Sequence, residues 1–190
     1  MKTIVKVATI TALLCGASYQ TAHAQAMVLG KSKAAECYQR TKTSMSGQAA
    51  NIKLCKQALS DGGLTTSDAA ATHVNLGILL MRAKRNEEAR KHYEKAISMT
   101  PNLPEAYINN SAALIYMGEY HAAIEAIDKA IDLGTTKMPE ALFNRAMAYD
   151  NLKQYNKAYA DLKKALELRP GWAPALAAID NYETAPTPVN

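Results

Sequence analysis

The stretch ARKHYEKAISMTP (Ala89–Pro101) decides how this chain is read. Taken alone, Arg90, Lys91, His92 and Lys95 suggest a basic helix for a nucleic-acid backbone. Slid along the chain, the stretch recurs. Ala89, Tyr93, Ala96, Ile97 and Pro101 return as Ala123, Ile127, Ala130, Ile131 and Thr135, and again as Ala158, Leu162, Ala165, Leu166 and Pro170. The step is 34 residues and then 35, with the extra residue in the GTTKM loop (Gly134–Met138), where lengthening costs little.

The segments upstream repeat in the same register. Leu76-Gly77 with Leu80 corresponds to Asn110-Ser111 with Leu114 and to Arg145-Ala146 with Tyr149. Small residues at Gly77, Ser111 and Ala146 meet small residues at Ala89, Ala123 and Ala158, while Tyr93, Ile127 and Leu162 fill the space beside them. Apolar positions three and four apart on both segments predict antiparallel helix pairs. Pro104 and Pro139 stand where helices begin, a place that tolerates a missing N–H. Pro101 and Pro170 stand where helices end. Asn86, Gly118-Glu119 and Lys153-Gln154 fall in the turns between helices.

This pattern resembles the tetratricopeptide repeat, a helix–turn–helix unit of 34 residues with small residues at positions 8, 20 and 27 and Pro at 32. It covers 70–103, 104–138 and 139–172. Two departures stand out: His73 at the large position 4 of the first repeat, and polar Asn110 and Arg145 at position 7 of the others. The expected fold is an all-α, right-handed superhelix of about nine helices. The opening question is then settled for the basic residues. Arg90, Lys91 and Lys95 alternate with Glu87, Glu88 and Glu94 on a solvated face, in pairs such as Glu87–Lys91 at helical spacing. No basic stripe with stacking aromatics accompanies them, so no nucleic-acid partner is expected.

The array needs covered ends. GWAPALAAIDNYE (Gly171–Glu183) predicts a capping helix from about Ala173, with Leu176, Ile179 and Tyr182 on its covering face and Trp172 at the junction. Residues 184–190 read as a disordered tail. Upstream, residues 25–66 hold a degenerate hairpin, helices near 31–43 and 47–60, and a loop in which Ser67 or Asp68 caps the next helix. In a hairpin turning near Ser46, residues whose numbers add to about 92 face each other, and Cys37 and Cys55 meet that condition. A disulfide between them would stabilise by roughly 3 kcal/mol.

Residues 1–24 read as a signal peptide. Lys2 and Lys6 precede an apolar run, and Ala22-His23-Ala24 suits cleavage before Gln25. Leu13-Leu14 before Cys15 does not suit a lipoprotein peptidase. Losing Lys2 and Lys6 lowers the formal charge from +5 to +3, too mild to demand an acidic polymer as partner. The expected place is periplasmic or secreted, which fits a disulfide. The membrane is then reached only through a partner.

Catalytic patterns are scarce. His73, His92 and His121 are scattered, without metal spacing, and there is no phosphate loop and no GxSxG. The expectation is no enzyme, no cofactor and no metal. The resemblance instead implies a concave groove lined by the first helix of each repeat. Asn75, Asn109 and Asn144 share position 6 and would form a ladder of donors and acceptors for an extended peptide. Val74, Ile108 and Phe143 at position 5 and Ile78, Ala112 and Met147 at position 9 would give specificity. Arg82, Tyr116 and Asn151 would line the rim. Position 2 carries Ala71, Glu105 and Glu140 rather than the basic residues of the family's carboxylate clamp, so a neutral or basic segment is expected. The rival reading is a structural subunit or adaptor of an envelope or secretion assembly, held by its convex face or ends.

Overall fold

Ser32 opens the helical array: its Oγ accepts a hydrogen bond from the Ala35 N–H and caps the first helix. The structure, a computed structural model, describes residues 4–6 and 32–184. Among them run nine helices: α1 (Lys33–Thr43), α2 (Ala49–Ser60), α3 (Thr66–Arg82), α4 (Asn86–Met99), α5 (Pro104–Tyr116), α6 (Tyr120–Asp132), α7 (Met138–Asn151), α8 (Tyr155–Leu168) and α9 (Ala173–Ile179). A short antiparallel ribbon joins β1 (Ile4–Lys6) to β2 (Tyr182–Thr184), with Val5 opposite Glu183. The helices pack as consecutive pairs, and each pair packs on the next. The first helices α3, α5 and α7 also touch one another in series. This is the expected all-α solenoid. Apart from Ile4–Lys6, the leader and its cleavage site lie outside the described residues, as do 185–190 of the tail.

Small-against-large packing fixes each pair. In the first repeat a Cβ built on Gly77 would lie 2.3 Å from Cε1 of Tyr93, whose ring is fully buried. The corresponding residues of the next two repeats, Ser111 with Ile127 and Ala146 with Leu162, are all fully buried. As the small member grows, the large one shrinks, which keeps the core filled without overlap.

The turn inside each repeat is built alike. Arg85 N–H donates to Leu80 O, Glu119 N–H to Leu114 O, and Gln154 N–H to Tyr149 O, at 2.9, 2.9 and 2.8 Å. This bond requires a left-handed residue just before the donor. Gly118 takes that place in the second repeat with φ 81°, but Lys84 (φ 60°) and Lys153 (φ 59°) take it in the others. Both lysines are exposed. Lys84→Gly and Lys153→Gly should therefore each raise stability by about 0.5–1 kcal/mol, measured by denaturant midpoint.

The N-terminal hairpin is stapled as expected. Cys37 and Cys55 are disulfide-bonded across α1 and α2, with Cα atoms 5.0 Å apart and both side chains fully buried. The cap of α3 differs from expectation. Thr65, not Ser67 or Asp68, accepts from the Asp68 N–H, and its hydroxyl donates to Asp68 Oδ2 at 2.8 Å. The helix thus starts one turn earlier than the repeat pattern marks.

The C-terminal cap also differs. Leu176 is 42% exposed and does not cover the array; Ala175, Ala178 and Ile179 do. Tyr182 is not helical. It lies in β2, with its ring edge-on to Tyr155 and Tyr159 and its hydroxyl donating to Asp150 Oδ1 at 2.6 Å. Because α9 is only two turns long, an aromatic beyond its end takes over part of the covering. Trp172 packs at the junction as expected, its ring centroid 5.2 Å from that of Phe143, with the Arg169 guanidinium 4.7 Å over its ring.

Candidate peptide-binding groove

The repeat period brings the ladder positions onto three adjacent helices, α3, α5 and α7. Asn75, Asn109 and Asn144 are fully buried, as are Val74, Ile78, Ile108 and Ala112, with Phe143 and Met147 nearly so. Nine of the twelve residues expected to line the groove are therefore buried. Tyr116, at 43% exposure, and Asn151 remain open.

The three asparagines are not equivalent. Asn109 Nδ2 donates to Glu105 O one turn back on its own helix, at 2.8 Å. Asn144 Nδ2 reaches across to α5, donating to Ile108 O at 3.3 Å and to Ser111 Oγ at 3.4 Å. It ties neighbouring first helices together, so its amide donor is not free for a ligand. Its Oδ1 stays buried without a hydrogen-bond partner. A buried acceptor left unpaired costs about 1–3 kcal/mol, and a ligand N–H would recover that.

The expected rim needs correction at one residue. Arg82 Nη1 donates to Thr41 O and Ser44 O, both at 2.6 Å, at the C-terminal end of α1. Its cation satisfies carbonyls that the helix leaves unpaired, so it braces the stapled hairpin rather than the groove. Burial pulls its pKa below the ordinary guanidinium value. Asn151 Nδ2 donates back to Met147 O at 2.8 Å. Charge at position 2 is also narrower than expected. Glu140 is buried and accepts from Arg169 Nη2 at 2.7 Å, so Glu105 alone keeps an uncommitted, half-buried carboxylate there.

Beside the groove, Arg145 answers the polar departure at position 7. Its Nε and Nη2 grip both oxygens of Asp161 on α8, at 2.8 and 2.9 Å, and its Nη1 donates to Asp128 Oδ1 on α6 at 2.6 Å. The Asp161 hydrogen bond is the main cause that raises the Arg145 pKa above its ordinary value. One cation thus binds its own repeat to the preceding one. No pattern of apolar positions could have shown this. The signal was the arginine at a position meant for an apolar side chain.

The described residues hold no group of three or more His, Cys, Asp or Glu that could bind a metal, and no helix among them is long and apolar enough to cross a membrane. Profiles of the tetratricopeptide repeat match residues 68–136 and 139–171, together more than half of the chain.

The chain belongs to the tetratricopeptide repeat family.

No curated protein matches the chain by sequence. Among solved structures, MamA is similar at 23% identity with a TM-score of 0.61, over 80% of this chain and 82% of its own. The Arabidopsis OM64 tetratricopeptide domain is similar at 25% identity and a TM-score of 0.58, over 61% of this chain and 95% of its own. The second such domain of human RPAP3, in complex with the HSP70 peptide SGPTIEEVD, is similar at 22% identity and 0.56, over 61% and 96%. These likenesses agree on the stacked helix pairs of the tetratricopeptide fold.

Proposed function

We propose that this protein is a non-catalytic interaction module that holds an extended segment of another protein along α3, α5 and α7. One observation carries the reading. The first helices align an apolar row, Val74, Ile108 and Phe143, beside the asparagine row, where Asn144 Oδ1 is a buried acceptor awaiting a donor. An apolar row gives grip, and an amide acceptor suits a peptide backbone N–H. The row is buried, so a partner must take over a surface already withdrawn from water.

The site of action is the cell envelope or beyond it. The leader pattern around Ala22-His23-Ala24 and the Cys37–Cys55 bond both favour an oxidising compartment. N-terminal sequencing of the protein from its native host should begin at Gln25.

Site-specific crosslinking tests the groove. A photoreactive residue at Tyr116, at the groove rim, should capture a defined envelope protein, and Asn109→Lys should abolish the capture. The same residue at Lys91, exposed on α4, should capture nothing in common with it. Identical products from both positions, or products from Lys91 alone, would favour the adaptor reading through the convex face.

The human RPAP3 domain binds a peptide ending in EEVD. Here position 2 carries Ala71, Glu105 and an Arg169-bound Glu140, so an acidic tail meets no free cation at those places. Fluorescence anisotropy with a labelled EEVD-terminated peptide should show no saturable binding at about 100 µM, weaker than about −5 kcal/mol. Saturable binding that disappears when the C-terminal carboxylate is amidated would replace the neutral-segment reading.

A further inference from the structure

His73 on α3 and His92 on α4 lie outside the candidate groove. Their Nδ1 atoms are 2.9 Å apart, and the rings stack with centroids 5.1 Å apart and planes 28° from parallel. Two imidazole nitrogens at that distance share one hydrogen. One ring donates its Nδ1–H, and the other accepts on a bare Nδ1 and carries its own hydrogen on Nε2. A first added proton leaves this bond possible. A second places a hydrogen on both Nδ1 atoms and sets two cations face to face.

We propose that the His73–His92 contact is a proton-operated latch: it closes α3 onto α4 while at least one ring is neutral, and it opens the first repeat when both are charged.

The surroundings favour the neutral pair. Lys56 on α2 faces His92, and Lys95 on α4 faces His73. Glu88, the counter-charge near His92, is bound through both oxygens to Arg85. Burial first, then the charge of the His92 ring and of Lys95, hold the His73 pKa at about 4; burial and then Lys56 hold His92 below its ordinary value. An opened repeat frees both rings to titrate near their ordinary 6.5. As pH falls from that value towards 4, the open state takes up protons that the closed state refuses, so the closed state loses stability across that window. A metal site is a poorer reading of the same geometry, because Lys56 and Lys95 border it and no third ligand completes it among the described residues.

The latch sits beside the candidate groove, because α3 also carries Val74, Asn75 and Ile78. Acid would then loosen the N-terminal edge of the groove. That consequence rests on the proposed function; the latch itself does not, and the test reads it without any partner.

Amide hydrogen exchange on the full chain, corrected for intrinsic pH dependence, compares α3–α4 with α7–α8 at pH 7 and pH 4.5. Between those conditions, α3–α4 exchange should accelerate by about tenfold relative to α7–α8. The double variant His73→Tyr with His92→Ala copies the Tyr107 and Ala126 pair of the second repeat. It should hold that ratio within about twofold. An unchanged ratio in the wild type, or an equal rise in the variant, overturns the latch. If the variant does not fold, ring titration by NMR in the wild type decides. Both rings must titrate well below free histidine and influence each other; two independent titrations at the free value overturn it.

Discussion

Replacing Gly77 with alanine should lower stability by about 1–2 kcal/mol, although alanine is the better helix former. Two effects oppose each other. Alanine in a helix interior gains about 1 kcal/mol over glycine. Against that, the new Cβ would stand 2.3, 2.7 and 2.8 Å from three carbons of the Tyr93 ring. All three approaches are closer than packed atoms tolerate, and the ring is fully buried. Overpacking of this kind costs about 1–3 kcal/mol and sometimes more, so the clash should win. The melting temperature should fall by roughly 2–8 °C. The double variant Gly77→Ala with Tyr93→Leu copies the Ala146 and Leu162 pair and should recover most of the loss. A single variant as stable as the wild type would show that the ring is not held where the repeat packing places it.

Arg145→Ala should cost about 3 kcal/mol, measured by denaturant unfolding, through the charge it leaves behind. Asp161 is 11% exposed, and both of its oxygens accept from Arg145. Without the guanidinium, a carboxylate is buried unpaired between α7 and α8. Asp128, half exposed, can turn to water, so Asp128→Ala should cost under about 1 kcal/mol. The apolar double variant Arg145→Met with Asp161→Leu should be far less harmful than Arg145→Ala, because it removes both charges together. If Arg145→Ala proved as mild as Asp128→Ala, the ion pair would be a surface contact in solution.

The solenoid was legible because packing wrote itself into a period. Three residue sets at steps of 34 and 35 fixed the helix pairs, and the Gly77–Tyr93 contact could be foreseen from small-against-large pairing alone. The Cys37–Cys55 bond was legible because a hairpin turns residue numbers into distances. The places where reading fell short depend on which side chain reaches which neighbour. Arg145 looked like a flaw in the repeat until Asp161 and Asp128, 16 and 17 residues away, stood around it. Arg82 looked like a rim residue, yet its partners are carbonyls about 40 residues upstream. The asparagine ladder was visible as a period, but the period could not show that Asn144 spends its amide on α5. Leu176 and Tyr182 were misread because an apolar face does not tell how soon a short helix ends.

The staple on the first hairpin has a consequence for a chain exposed to proteases. The turn between α1 and α2 carries Met45, 81% exposed, at its tip. A cut there would divide the polypeptide but not the molecule, since Cys37 lies on one side of the break and Cys55 on the other. The severed α1 would stay tethered to α2, with its buried contacts intact. Such a nicked chain would migrate as one species until a reductant separated it, so a broken backbone need not mean a broken array.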